Sequence, residues 1–191
     1  AGIASDGASW AAVADALAED FELILPDNRC TGRTRPIPCR TGLAEMLADS
    51  LGLIEALGHR RVHLLGHSMG GMLALHLAAA HPERVCSVTA MGTTGRAGPL
   101  ARALFAELAE IYATPGLPAE RFFRLLFPWL FAPGFFADPG AVRAAAEAAV
   151  AYPHRQPPEA FRAQVAAMED FAAPPDLDAL RCPVLALTGA Q

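Results

Sequence analysis

Lysine is absent from this chain; all 15 of its basic residues are arginine. Against 20 acidic residues the formal charge is −5, which leaves no basic patch for a nucleic acid. Phosphate-cradling loops are missing as well, since neither G-x-G-x-x-G nor G-K-[ST] occurs. No apolar run reaches the roughly 18 residues that a membrane-spanning helix needs. The opening stretch "AGIASDGASW" has neither a basic start nor an apolar core, so it does not read as a secretory signal, and no methionine begins it. Cysteine is sparse: Cys30, Cys39, Cys86 and Cys182 form no C-x-x-C pair and no metal-ligand spacing. Free thiols in a reducing, cytoplasmic setting are the plain reading, with a Cys30–Cys39 disulfide as the alternative. No metal and no cofactor is implied. The arginine-only usage and the abundant alanine read as compositional bias, not as function.

What is present suits a globular protein with a large core. Hydrophobic residues make up 53% of the 191 and charged ones 18%, enough for one domain, or one domain with an insertion. Short apolar runs at "FELILPD" (21–27), "RVHLL" (61–65), "VCSVTAM" (85–91) and "PVLALTG" (183–189) read as buried strands. Helical patterns lie between them. Ser9 is placed to cap a helix through Val13 and Leu17. Leu43, Leu47, Leu51 and Ile54 share one helical face, and Gly58 stands where a C-terminal glycine belongs. Residues 69–80 make a third helix, ended by His81-Pro82. This alternation predicts the α/β class, a parallel sheet with helices on both faces.

From residue 96 to about 175 the strand signal disappears. Helical pieces are punctuated by "TPGLP", "APG", "DPG" and "PP", and the segment holds every aromatic residue except Trp10 and Phe21. Many of them crowd into "RFFRLLFPWLFAPGFF" (121–136). An all-helical insertion between two strands of a parallel sheet is expected to form a cap over one end of it. The expected organisation is therefore a core over 1–95, a cap over 96–175, and a return to the core strand over 176–191.

The chemistry-bearing stretch is "HLLGHSMGGML" (63–73), which contains G-x-S-x-G between a strand and a helix. A serine on a sharp, strained turn needs small residues two before and two after it, and Gly66 and Gly70 meet that need. Gly71 lets the helix approach the sheet. The Met69 N–H, at the helix start, would point where an oxyanion forms. The plainer alternative is a glycine-rich turn with an incidental serine.

The stretch "RVHLLGHSMGGMLALHLAAAHPERV" resembles the nucleophile elbow of α/β-hydrolases of the esterase, lipase and enol-lactonase type. "ILPDNRCTGRTRP" resembles that family's D-x-R-G-x-G-x-S signature, with Cys30 where glycine is usual and Thr34 where serine is usual. "AGIASDGASW" is similar to the segment after the family's third strand, with Ala1 in place of the usual histidine. "RCPVLALTGAQ" resembles the strand before the catalytic acid. The resemblance implies a partial α/β-hydrolase fold. It makes Ser68 the nucleophile, the N–H groups of Met69 and Ile3 the oxyanion donors, and Gly66, Gly70 and Gly71 the elbow's structure. It implies loop-structuring roles for Asp27 and Arg29.

In that family the chain order is serine, acid, histidine. The acid would follow residues 183–189, yet no histidine follows His154. His59, His63, His76 and His81 read as packing or surface residues, and His67 as part of the turn itself. Asp176 and Asp178 precede the strand and read as caps. The expectation is a piece of a serine hydrolase cut at both ends, with base and acid lying beyond it. A strand of the family would fall between residues 21–26 and 61–65, so those two runs are expected ~9–10 Å apart with nothing between them. The implied reaction is cleavage of an ester, thioester or lactone. A cofactor-free haloperoxidase or perhydrolase, and a non-catalytic binding protein, are the alternatives; the intact elbow motif argues against the last. The aromatic cap favours a small, apolar, ester-like substrate.

Overall fold

The computed structural model describes residues 1–37 and 40–189. Three strands, β1 (Val62–His67), β2 (Val85–Met91) and β3 (Val184–Leu187), form one parallel sheet in the order β1-β2-β3. Leu64 stands opposite Val88, and Val88 opposite Val184. The ladder runs on past the carboxyl ends: Ser68 N–H donates to Met91 O at 2.8 Å, and Gly92 N–H to Leu187 O at 2.8 Å. That end of the sheet is therefore aligned, and Ser68 sits on it. Cys86 and Cys182 are free thiols. Cys39 lies outside the described residues, and with it the Cys30–Cys39 pairing.

The β1–β2 crossover is helix α3 (Met69–Ala80), which ends at His81-Pro82 as its sequence predicts. Built from Leu, Met, Ala and Gly apart from His76, it is apolar on nearly every side, the mark of a helix buried from more than one direction. Ala74, Leu75 and Ala78 pack on Val85, Val88 and Ala90 of β2. Met69, Met72 and Leu73 turn the other way, into a cluster with Ile3, Leu108, Phe122, Phe161 and Phe171.

Two other helices precede the sheet. Helix α2 (Leu43–Ala56) ends as expected at Gly58, whose φ of +78° suits glycine. Gly58 N–H donates to Glu55 O at 2.9 Å and His59 N–H to Ile54 O at 3.0 Å, the paired closure of a Schellman turn. Helix α1 (Ala11–Ala18) departs from expectation at its start. A 3-10 turn, Gly7–Trp10, precedes it, and the Asp6 carboxylate caps that turn by accepting Ala8 N–H at 3.0 Å. Ser9 is not a cap, because its hydroxyl donates to Asp6 O at 2.8 Å.

Residues 21–26 also depart from expectation. They make no ladder hydrogen bond among the described residues, and Phe21 (51%) and Leu25 (40%) are exposed. Apolar β-formers make a strand only beside a partner strand, and β1 offers them none. The two runs touch through side chains, with Phe21 edge-on to His63 at 5.8 Å. No direct ladder joins the two runs among the described residues.

After β2 the described chain is helical until β3: α4 (Pro99–Ala113), α5 (Ala119–Leu126), α6 (Pro139–Ala151) and α7 (Pro158–Ala166), with 3-10 turns between them. Proline opens α4, α6 and α7, where its missing N–H costs nothing. Asp138 caps α6 by accepting Gly140 N–H at 2.8 Å. The aromatic stretch divides in two. Phe122 stacks on Tyr112 at 4.0 Å and meets Phe161 edge-on at 5.0 Å, all in the cluster that contains Met69. Phe127, Phe131 and Phe135 pair among themselves, beside an exposed Trp129. The Phe122 half thus packs on the first turns of α3, which Ser68 opens. No helix among the described residues is long and apolar enough to cross a membrane.

Candidate active site

Ser68 follows β1 and begins α3 with φ +53° and ψ −120°, a conformation costing about 1–3 kcal/mol in a non-glycine residue. Its neighbours hold it there. A Cβ on Gly66 would lie 2.2 Å from Gly70 O and 2.6 Å from Gly71 N, so strand end and helix start cross at a distance only glycine permits. A Cβ on Gly70 would lie 2.5 Å from Ala1 O, and one on Gly71 2.7 Å from the Thr93 methyl. Ser68 N–H goes to Met91 O, and Ser68 O accepts from Gly71 N at 2.9 Å and Met72 N at 3.1 Å. The backbone of Ser68 is thus fully used, while its Oγ has no partner among the described residues.

Met69 is buried, and its N–H precedes the hydrogen-bonded part of α3, so no acceptor among the described residues takes it. The N-terminal loop closes against the same spot. A Cβ on Gly2 would lie 3.3 Å from Ser68 Cβ and 3.2 Å from His67 Nδ1. Ser5 N–H donates to Gly2 O at 3.3 Å, forming a turn with Ile3 and Ala4 at its centre. Ile3 is 7% exposed, shares a cluster with Met69, and its N–H likewise has no acceptor among the described residues. An N–H left without a protein acceptor in a buried residue is costly in a folded chain unless water or a ligand takes it.

The supporting loop is ionic. Asp27 accepts Gly7 N–H at 2.8 Å, Arg33 N–H at 2.9 Å and Arg33 Nε at 2.8 Å. Burial works to raise its pKa, but the Arg33 and Gly7 hydrogen bonds outweigh it and bring Asp27 down to about 2. Arg29 pairs with Asp49. Asp27 is therefore tied into the loop's own framework, and Arg29 ties the loop to helix α2. Between this loop, the N-terminal turn and the helical segment lies a cavity of about 250 Å³, bordered by Ser5, Asp6, Tyr112, Phe122, Tyr152 and Gln156. Tyr152 OH donates to Asp6 Oδ2 at 2.7 Å, which raises the phenol's pKa.

No histidine or carboxylate among the described residues reaches Ser68. Desolvation against its neighbours lowers the His67 pKa, and this ring borders Gly2 and Gly92 without bonding to the serine. His63 meets Ser87 Oγ at 2.7 Å, His76 lies edge-on to Phe171, and His154 sits against Tyr152. Glu22 lies near His59 and Glu83 near His81. Asp176 caps a short turn by accepting Asp178 N–H at 3.1 Å.

One pair of residues escapes the motif reading. Gln164 is fully buried, and its Oε1 accepts Ala4 N–H at 3.0 Å and Gln156 Nε2 at 3.3 Å. Gln156 Nε2 also donates to Cys30 O at 2.7 Å, and Tyr112 OH to Gln156 O at 2.8 Å. The signal was a polar residue on an apolar face: Gln164 falls in line with the buried Phe161, Val165 and Met168.

A strained serine between a parallel strand and a buried helix, with further helices packed on that helix, defines the α/β-hydrolase type of architecture. Residues 1–131 match the alpha/beta hydrolase fold family, and the chain belongs to it. A relative named for carbamate hydrolysis, RutD of Caulobacter sp. (strain K31), is 30% identical across the whole chain, which covers 70% of that protein. The thermophilic esterase of Thermogutta terrifontis is 28% identical with a TM-score of 0.76, over 98% of this chain and 68% of its own. The enol-lactonase of Burkholderia xenovorans LB400 shares the fold at a TM-score of 0.81 and 22% identity, over all of this chain and 70% of its own.

Proposed function

We propose that the chain supplies the nucleophile and oxyanion donors of a serine hydrolase that cleaves an ester, thioester or lactone through an acyl-Ser68 intermediate. The observation that carries this reading is Ser68 itself, at φ +53° with an unpartnered Oγ, at the start of a helix whose first N–H, that of Met69, no acceptor among the described residues uses. Ser68 Oγ attacks the carbonyl carbon and gives its proton to a histidine base, and the carbonyl oxygen becomes an oxyanion held by Met69 and Ile3 N–H. Collapse expels the leaving oxygen or sulfur, which takes the proton from the histidine. Water then repeats the sequence on the acyl-enzyme, releasing the acid and restoring Ser68.

We assign the histidine and its orienting carboxylate to sequence outside these 191 residues, since none among the described residues reaches Ser68 and the chain spans about 70% of its relative's length. Residues 96–175 act as a cap, and their Tyr112, Phe122 and Phe161 rings favour an apolar acyl group. A carbamate is the second reading, supported by the name of the relative at 30% identity. The same tetrahedral step serves it, with a nitrogen beside the attacked carbonyl. In the full-length protein a fluorophosphonate probe is expected to label Ser68. Ser68→Ala should lower kcat on p-nitrophenyl acetate by about 10⁴- to 10⁶-fold. Hydrolysis at the wild-type rate by Ser68→Ala would end the assignment. A kcat/KM for p-nitrophenyl carbamate above that for the acetate would move the substrate class to carbamates.

A further inference from the structure

We propose that the cavity beside Asp6, which neither Ser68 nor Met69 borders, binds a primary ammonium group carried on a small aromatic body. The cavity, of about 250 Å³, has two unlike walls. One is aromatic, built from Tyr112, Phe122 and Phe161, and the other is polar, with Ser5, Asp6 and Tyr152. A dry apolar cavity of about 150 Å³ takes a benzene ring. This larger one has room for a ring and a short polar arm.

Asp6 sets the charge of that arm. It is 7% exposed, yet no cation among the described residues lies within ion-pairing distance of it. Arg33, whose field reaches Asp6, is bonded to Asp27 instead, with Nε 2.8 Å from Asp27 Oδ2. The Asp6 carboxylate accepts two side-on hydrogen bonds, both from neutral donors. Ala8 N–H reaches Oδ1 at 3.0 Å, and Tyr152 OH reaches Oδ2 at 2.7 Å. A carboxylate has about four lone-pair directions, so two are left over. Ser5 Oγ, next to it in the chain, has no partner among the described residues. A buried charge without a counter-ion is costly, and a ligand cation removes that cost. An ammonium has three donors and no acceptor, which suits two oxygen acceptors and an aromatic wall. Arg155 also borders the cavity, but it is exposed and water screens its repulsion.

The test is calorimetric binding to the full-length protein, a readout that does not depend on any chemistry at Ser68. Three probes of similar size are compared at pH 8: phenethylamine, which is protonated there, 2-phenylethanol and phenylacetate. Phenethylamine should bind at least about tenfold more tightly than the alcohol, and phenylacetate more weakly than either. Asp6→Asn keeps an acceptor for Ala8 and removes the charge. It should weaken the amine about 10- to 100-fold and leave the alcohol within about threefold. Equal affinity for amine and alcohol overturns the proposal, as does an Asp6→Asn that binds the amine as tightly as wild type. If Asp6→Asn does not fold, Ala149→Phe takes its place, since Ala149 borders the cavity from helix α6 and a ring there fills it. Amine binding must then be lost, and its retention overturns the proposal.

Discussion

Two residues beside the site hold a positive φ, Ser68 at +53° and Ala4 at +58°, and they are held by opposite means. At Ser68 the constraint is local: Gly66, Gly70 and Gly71 bring strand and helix within contact, and the ladder bond to Met91 closes the turn. At Ala4 it is remote, a single amide from the far end of the chain. Local strain is written as a motif. Remote strain is written as one polar residue on an apolar helix face, which only the folded chain explains.

The contrast can be broken hardest at the elbow. Gly66→Ala puts a methyl 2.2 Å from a backbone oxygen that cannot move without unwinding α3. We expect a loss of about 5 kcal/mol or more in denaturant unfolding, together with activity. A folded, active Gly66→Ala would show the elbow to be far softer than its contacts indicate. Next comes the packing that both regions share. Phe122 is 1% exposed in the cluster with Ile3 and Met69, and Phe122→Ala should cost about 3–5 kcal/mol in the same experiment. A cost below about 1 kcal/mol would mean that the cluster does not join the two.

The smallest effect is a pH dependence on the remote side alone. Asp27 anchors Gly7, and its pKa falls from the ordinary 3.8 of an aspartate to about 2 in the folded chain. A depressed folded pKa gives stability that is complete above about pH 4 and drains away as pH falls towards 2. Because Arg33 is largely exposed, screening holds the contribution to about 1 kcal/mol. Asp27→Asn should flatten the stability profile between pH 4 and 2; an unchanged acid limb would mean that other carboxylates govern it.

Legibility in the sequence followed the range of the forces. Helix α3 and strand β2 lie where their apolar runs place them, because burial there depends on the run's own residues. The elbow was readable from five letters, since Gly66 answers to Gly70 and Gly71 close by in sequence, while the contacts of Gly70 with Ala1 and of Gly71 with Thr93 only the fold supplies. Residues 21–26 carry strand-like letters but no ladder, because pairing needs a neighbour that the run cannot specify. Asp6 took the cap expected of Ser9 because a 3-10 turn moved the helix start. The run 121–136 looked like one aromatic cluster, but the breaks at Pro128 and Pro133 part Phe122 from Phe131. Gln156 and Gln164 were beyond reach, as the Cys30 and Ala4 backbone groups they hold lie more than a hundred residues away.

Helix α3 belongs to two hydrophobic clusters at once, one on the sheet and one with the helical segment. A helix shared in this way makes the two clusters a single cooperative unit, because neither can melt without exposing a face of α3 that the other needs buried. Opening motions confined to the helical segment must therefore stop short of α3. The serine rides on the first turn of that helix, in the part of the molecule that yields last.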